Sequence, residues 1–212
     1  MAKYLVKNID SYTHVRGESV YIDDIPVVNG TLYASVFDSP IAHGKIASLD
    51  INEALAMPGV VRIFMAKDIP GENQIGGIVP DEELLASSYV HFCGMPLALV
   101  VAETEEAARA AVKKVKVTIE PLPVITDPRE AKEKGELIIP PRTFRLGDTS
   151  SVWKDCDHII EGRTETNGQE HLYIETQGAY AVPQENGAIR IYSSTQGPTA
   201  VQRTAARVLA IP

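Results

Sequence analysis

The sequence predicts an α+β fold, and three features point to it. Two strand–helix–strand patterns stand between Thr31 and Glu120, a proline-rich connector follows, and the last portion reads as antiparallel strands about an Asn-Gly turn. Residues 1 to about 30 read as irregular and end in turn signals at Asp23-Asp24-Ile25-Pro26 and Asn29-Gly30. Thr31 to Phe37 is a strand, rich in β-branched and aromatic side chains. Ser39-Pro40 and His43-Gly44 break the chain before a second strand, Lys45 to Ile51. A short helix over Asn52 to Ala56 is stopped by Pro58-Gly59, and Val60 to Met65 is the next strand.

The second unit begins with the apolar run Leu97 to Ala102, which fits a strand buried on both faces. Thr104 supplies a helix-capping oxygen, and Glu105 and Glu106 complement the positive helix start. Ala107, Ala108, Ala111 and Val112 form the apolar stripe of that helix, with Lys113 and Lys114 at its end. Val115, Val117 and Ile119 then alternate with Lys116, Thr118 and Glu120, as in a strand with one wet face. Pro121 to Pro141 carries five prolines and a charged helical piece from Arg129 to Glu136, which reads as a solvated face. Asp148 is placed to cap a short helix ending near Asp155, with Trp153 anchoring it to a sheet. Strands are expected over His158 to Thr166, Leu172 to Val182 and Ala188 to Ser194, the last two joined through Glu185-Asn186-Gly187. Pro198 opens a final helix to about Leu209, whose Val201, Val208 and Leu209 form an apolar edge. The domain reading is 1–125, a linker over 126–143, and 144–212.

Composition bounds the function. The chain has 212 residues, 44% hydrophobic and 23% charged, enough for one large domain or two small ones. A net charge of −8 argues against a general nucleic-acid binder, which needs clustered Lys and Arg. The longest apolar run, Pro96 to Ala102, is far short of the ~20 residues of a membrane span. The opening MAKYLVKNID lacks the apolar stretch of a secretory leader. Cys93 and Cys156 are far apart, show no CxxC spacing and read as small hydrophobes. A cytoplasmic, reduced protein without a membrane partner is the expectation.

Polar residues gather between Gly168 and Gln202: Gln169, Glu170, His171, Glu175, Gln177, Ser193, Ser194, Thr195 and Gln196. Amides and hydroxyls at strand ends suit an oxygen-rich, anionic group. Ser194, Thr195 and Gln196 either line such a cavity or satisfy backbone groups where the strand meets the last helix. His171 and Glu175 stand at i, i+4, a zinc-like spacing on a helix but not on a strand, and no third ligand is apparent. A buried, hydrogen-bonded histidine is the better reading. His43 reads as a turn residue, and His14, His91 and His158 show no partner. Gly71, Gly76 and Gly77 match neither a dinucleotide nor a P-loop fingerprint and read as a flexible surface loop.

The run Gly168-Gln169-Glu170-His171-Leu172-Tyr173-Ile174-Glu175-Thr176, followed by Ser194-Thr195-Gln196-Gly197-Pro198, resembles the molybdenum hydroxylases, the xanthine dehydrogenase and aldehyde oxidase family. His14 to Pro26, Ser39 to Gly44, Asp68 to Gly77, Phe144 to Asp148 and Asp157 to Gly162 are similar to the same family in collinear order, closest to bacterial xanthine dehydrogenases. The resemblance implies an α/β-hammerhead domain up to about 125 and, from about 144, the start of a molybdopterin-binding domain with antiparallel strands. It implies that Gln169 lies near the molybdenum and hydrogen-bonds one of its oxygen ligands. It also implies oxidation of a purine or aldehyde with water-derived oxygen, with iron–sulfur centres and a flavin (FAD) on partner domains or subunits.

The chain reaches Val208-Leu-Ala-Ile-Pro212 without the family's glycine-rich loop, substrate-binding arginine or catalytic glutamate. No catalytic base and no metal ligand is therefore assigned. The chain is expected to be the N-terminal segment of a molybdenum-binding large subunit, inactive alone, with homo-oligomerisation left open. The rival reading is a non-catalytic scaffold that keeps the hammerhead and binds through the Gly71–Gly77 loop or the final helix. A small hydrolase using His171 and Glu175 is a weaker third.

Overall fold

The computed structural model describes residues 10–175 and 177–212. Two compact units make up the chain: one runs to residue 123 and includes 174–212, and the other is 124–173.

In the first unit the elements run α1 (Asp10–Arg16), β1 (Tyr33–Asp38), β2 (Gly44–Asp50), α2 (Asn52–Leu55), β3 (Val60–Met65), β4 (Tyr89–Val90), β5 (Pro96–Ala102), α3 (Glu105–Val112) and β6 (Lys116–Pro121). The second unit holds α4 (Pro128–Lys134) and a 3-10 turn at Trp153–Asp155. The chain then returns to the first unit with β7 (Ala179–Pro183), β8 (Ile189–Ser193) and α5 (Pro198–Leu209).

Three antiparallel sheets result, ordered β1-β5-β3, β4-β2-β6 and β7-β8. The α+β expectation holds, and the strand–helix–strand units acquire a different meaning. Each unit carries the chain from one three-stranded sheet to the other: α2 joins β2 to β3, and α3 joins β5 to β6. Periodicity shows which face of a strand is buried, not which partner it meets, so this crossing is invisible in sequence.

β5 lies at the centre of the first sheet, with Val100 opposite Ser35 on one side and Ile63 on the other. Its Leu97, Ala98, Val100 and Ala102 are fully buried. Ala98 and Val100 pack with Ala54, Ile63, Ala111 and Val115. Leu97 belongs to a second core with Ala86, Val90 and Met95, and Phe37 and Leu49 touch both cores. Burying a side chain such as Leu97 or Val100 contributes about 1.5–3 kcal/mol.

α3 begins where Thr104 Oγ1 accepts the Ala107 N–H at 3.1 Å. Its buried face is Ala108 and Ala111, small enough for the helix to lie close on the sheet. On β6, Val117 and Ile119 are half-buried while Lys116, Thr118 and Glu120 are exposed. Gly44 on β2 admits no side chain, because a Cβ there would collide with Ile119 Cγ2 and lie 2.8 Å from Glu120 O. Glu53 on α2 clamps the end of α3 to β6, pairing with Lys114 Nζ at 2.7 Å and Lys116 Nζ at 2.8 Å.

The β7–β8 ribbon turns through Asn186 and Gly187, both at positive φ (60° and 75°), as the Asn-Gly pair predicts. Its cross-strand pair Tyr180 and Tyr192 stacks at 6.1 Å, and Tyr180 OH accepts the Val28 N–H at 2.9 Å. α5 begins at Pro198 as expected, and its C-terminal turn accepts the Gly71 N–H (Val208 O, 2.9 Å) and the Glu72 N–H (Arg207 O, 3.1 Å). Arg207 Nη2 donates to Gln74 O at 2.7 Å. The Gly71–Gly77 segment is therefore held rather than loose, and an added Cβ at Gly71 would collide with Arg207 O.

In the second unit, α4 is capped by Asp127, whose Oδ1 accepts the Arg129 N–H at 2.7 Å, and it closes at Gly135 with φ 75°. It buries no residue, as a solvated face should. Asp148 forms a local turn, accepting from Ser150 Oγ at 2.5 Å and Ser150 N at 3.1 Å, and these bonds lower its pKa below the ordinary value. The helix it was expected to cap shrinks to Trp153–Asp155, and Trp153 is exposed rather than anchored. Cys93 and Cys156 are also exposed, not small core residues. No helix among the described residues is long and apolar enough to cross a membrane.

Two predictions concern this framework. The hydrogen bonds from Lys114 and Lys116, with their charges, hold the Glu53 carboxyl down to about 2 from an ordinary 4.5. Because the folded-state pKa is the lower one, the clamp contributes stability above about pH 4.5 and loses it as pH falls toward 2. Thermal melts of wild type and Glu53→Gln should therefore differ at neutral pH and converge near pH 2; a constant gap would contradict this. Gly44→Ala should destabilise by about 1–3 kcal/mol through overpacking, read from urea unfolding.

Candidate functional site

Residues 156–173 carry no regular secondary structure, although strands are expected over 158–166 and from 172. Strands need a ladder partner, and none of the described residues supplies one here. Leu172 adopts φ 54°, a left-handed conformation that interrupts any strand continuing into β7, which starts only at Ala179. Gln169 is exposed on this segment. Beside it, Glu170 Oε1 accepts the His171 N–H at 3.0 Å, and the His171 ring stacks on Tyr173 at 5.4 Å. His171 is exposed, not the buried histidine that the sequence suggests.

The same unit has a shallow polar depression of about 510 Å³ lined by Arg129, Thr164, Glu165, Thr166 and Asn167. Arg129 and Arg163 both donate to Glu165 there, tying the irregular segment to α4. Gln169 is not part of its lining.

In the first unit the polar residues around the ribbon satisfy backbone. Glu175 Oε1 accepts the Ile22 N–H at 2.6 Å, at the 3-10 turn Ile22–Asp24. Ser194 Oγ accepts from Gly178 N at 3.2 Å, and Thr195 Oγ1 from Gly197 N at 3.0 Å. Of the two readings open for these hydroxyls, the backbone one describes what they do. Gln196 is exposed at the entrance to α5. Thr176, the last residue of the Gly168–Thr176 motif, lies outside the described residues.

Glu175 is thus engaged by Ile22, and no group of three His, Cys, Asp or Glu side chains among the described residues could hold a metal. Two histidines without visible partners in the sequence do have them. His14 Nδ1 lies 2.5 Å from Ser19 Oγ, in a groove of about 400 Å³ that also includes Gly17, Tyr21 and Ile174. His91 faces the ring of His43. No local sequence signal pairs His43 with His91, because 47 intervening residues separate them.

Residues 16–123, which contain both three-stranded sheets, match the aldehyde oxidase and xanthine dehydrogenase a/b hammerhead domain. The chain belongs to the aldehyde oxidase and xanthine dehydrogenase family. Residues 130–212 match the molybdopterin cofactor-binding domain. The chain is 39% identical over 209 residues to aldehyde oxidase 2 of Cavia porcellus, covering 98% of this chain and 15% of that protein. It is 38% identical over 206 residues to xanthine dehydrogenase of Dictyostelium discoideum, covering 97% of this chain and 15% of the relative. Among solved structures, the aldehyde oxidoreductase from Desulfovibrio gigas superimposes with a TM-score of 0.82 at 29% identity, over 96% of this chain and 25% of that one. This family member thus spans about 15% of the length of the curated relatives it matches.

The described residues do not cradle a molybdopterin by themselves. Gln169 offers a neutral amide but sits in the open, and the hydroxyls of Ser194 and Thr195 each accept a backbone N–H.

Proposed function

We propose that the chain is the hammerhead and leading molybdopterin-binding segment of a molybdenum hydroxylase of xanthine dehydrogenase type, oxidising a purine or an aldehyde. The observation that carries this reading is the order of the two domain matches, 16–123 then 130–212, on one continuous chain. Bound molybdenum would supply the acceptor for the two electrons that such an oxidation releases. Iron–sulfur and flavin domains or subunits would take those electrons onward.

Gln169 is the residue assigned to face the cofactor. A side-chain amide donates a hydrogen bond without adding charge, whereas a carboxylate would repel an anionic group and an ammonium would bind it as a full cation. The exposure of Gln169 is shared by its apolar neighbours in residues 124–173. Ile138 and Ile160 are each 95% exposed, and Phe144, Leu146 and Leu172 stand in solvent with them. Large apolar side chains at that exposure are surface that a covering polypeptide would bury. The same cover would enclose Gln169.

Two outcomes test the reading. The 212-residue chain purified alone should carry no stoichiometric molybdenum by elemental analysis and should not oxidise xanthine; either result in the positive would overturn the view that it supplies one edge of the site. In the complete molybdenum-loaded enzyme, Gln169→Ala should lower kcat by roughly 10²–10³, the size of a deleted oxyanion donor, with metal content unchanged. Wild-type turnover in that variant would remove Gln169 from the site.

A further inference from the structure

We propose that His43 and His91 form a chelate site for a divalent transition-metal ion of the Zn²⁺ and Cu²⁺ class, at one end of the β4-β2-β6 sheet. The site is independent of the molybdenum reading and uses none of its residues.

The argument begins with register. β2 and β4 are antiparallel, with Lys45 opposite Tyr89 and Gly44 opposite Val90. One step further along the same ladder sets His43 opposite His91. Directly opposed residues share a face of the sheet, with Cβ atoms about 4.5–5.5 Å apart. The two imidazoles accordingly lie with ring centroids 6.0 Å apart and planes inclined by 29°. Zinc–nitrogen bonds of ~2.0–2.1 Å and a ring radius of about 1.2 Å put two rings that share an ion roughly 5–6 Å apart. The pair is already at that spacing, and because each lone pair lies in its ring plane, binding requires the stacked His91 ring to turn out of its near-parallel orientation.

Protonation is arranged for it as well. His43 Nδ1 lies 2.8 Å from Pro123 O. A carbonyl can only accept, so Nδ1 carries the hydrogen and Nε2 of the neutral ring keeps a free lone pair. Donation of the second ring N–H to a carbonyl is the arrangement that orients metal-binding histidines.

Both backbones are fixed. Leu122 N donates to His43 O at 3.0 Å, and the adjoining Gly44 packs so closely on β6 that it admits no Cβ. His91 N donates to the buried Met95 Sδ at 3.4 Å, and Met95 O accepts from Ser39 N at 2.9 Å, in the loop that leads to His43. His91 is exposed, so its ring can turn its lone pair toward the shared ion. Because no third His, Cys, Asp or Glu of the described residues joins them, water fills the remaining positions. Affinity should then follow the general order for nitrogen ligands, with Cu²⁺ above Zn²⁺.

Calorimetric titration of the protein with Zn²⁺ and with Cu²⁺ at neutral pH decides the matter. One ion per chain is expected, with Cu²⁺ tighter, and the imidazole nitrogen resonances of both histidines should shift on adding Zn²⁺. Losing a ligand should weaken binding at least as much as the ~10–100-fold that loss of an outer partner costs. His91→Ala and His43→Ala should each show this, while Cys93→Ser binds as wild type. No uptake by wild type, undiminished uptake in His91→Ala, or loss of uptake in Cys93→Ser would each overturn the assignment. Should His43→Ala fail to fold, the exposed His91 still decides through its own variant.

Discussion

Burial of β5 on both faces is the constraint that organises the hammerhead. One seven-residue strand sends Ala98 and Val100 into one core and Leu97 into the other. Both cores therefore depend on the same backbone. Close approach on either side requires small residues at the contacts, which is why Ala54, Ala108 and Ala111 lie fully buried under α2 and α3. Larger side chains there would separate the helices from the sheet. The two-sheet arrangement follows, because each helix leaves β2 or β5 in one sheet and delivers the chain to the other.

The polar decoration of this frame is mostly spent on geometry. Glu53 clamps two lysines, Thr104 caps α3, Glu175 reaches a backbone amide 153 residues away, Ser194 accepts the Gly178 N–H ahead of β7, and Thr195 accepts the Gly197 N–H before α5. In the molybdopterin-matching region the Gln169 amide is exposed, on a segment that has neither ladder nor cover among the described residues.

Local chemistry was the legible part of the sequence. The Thr104 cap, the wet and dry faces of β6, the Asn186-Gly187 turn and the Pro198 start of α5 each depend on residues within a turn of one another. Long-range pairing was not legible. β4 is two residues long, too short to show a period, yet it brings His91 beside His43. α1 lacks an apolar stripe and reads as irregular; it buries nothing. The strand expected over 158–166 does not form: Ile159 and Ile160 are adjacent rather than alternating, and the polar residues after them offer no apolar face to bury. Gln169 was reached through family resemblance rather than spacing, since nothing local distinguishes it from an ordinary strand-edge glutamine.

The β7–β8 ribbon has an implication for biosynthesis. Each of its strands is paired on one side only, so two rows of peptide donors and acceptors face outward among the described residues. Rows of this kind are templates for strand addition, so a newly made chain holding this ribbon is exposed to self-association along them. Covering those rows would remove that hazard, quite apart from any part the ribbon plays in the finished molecule.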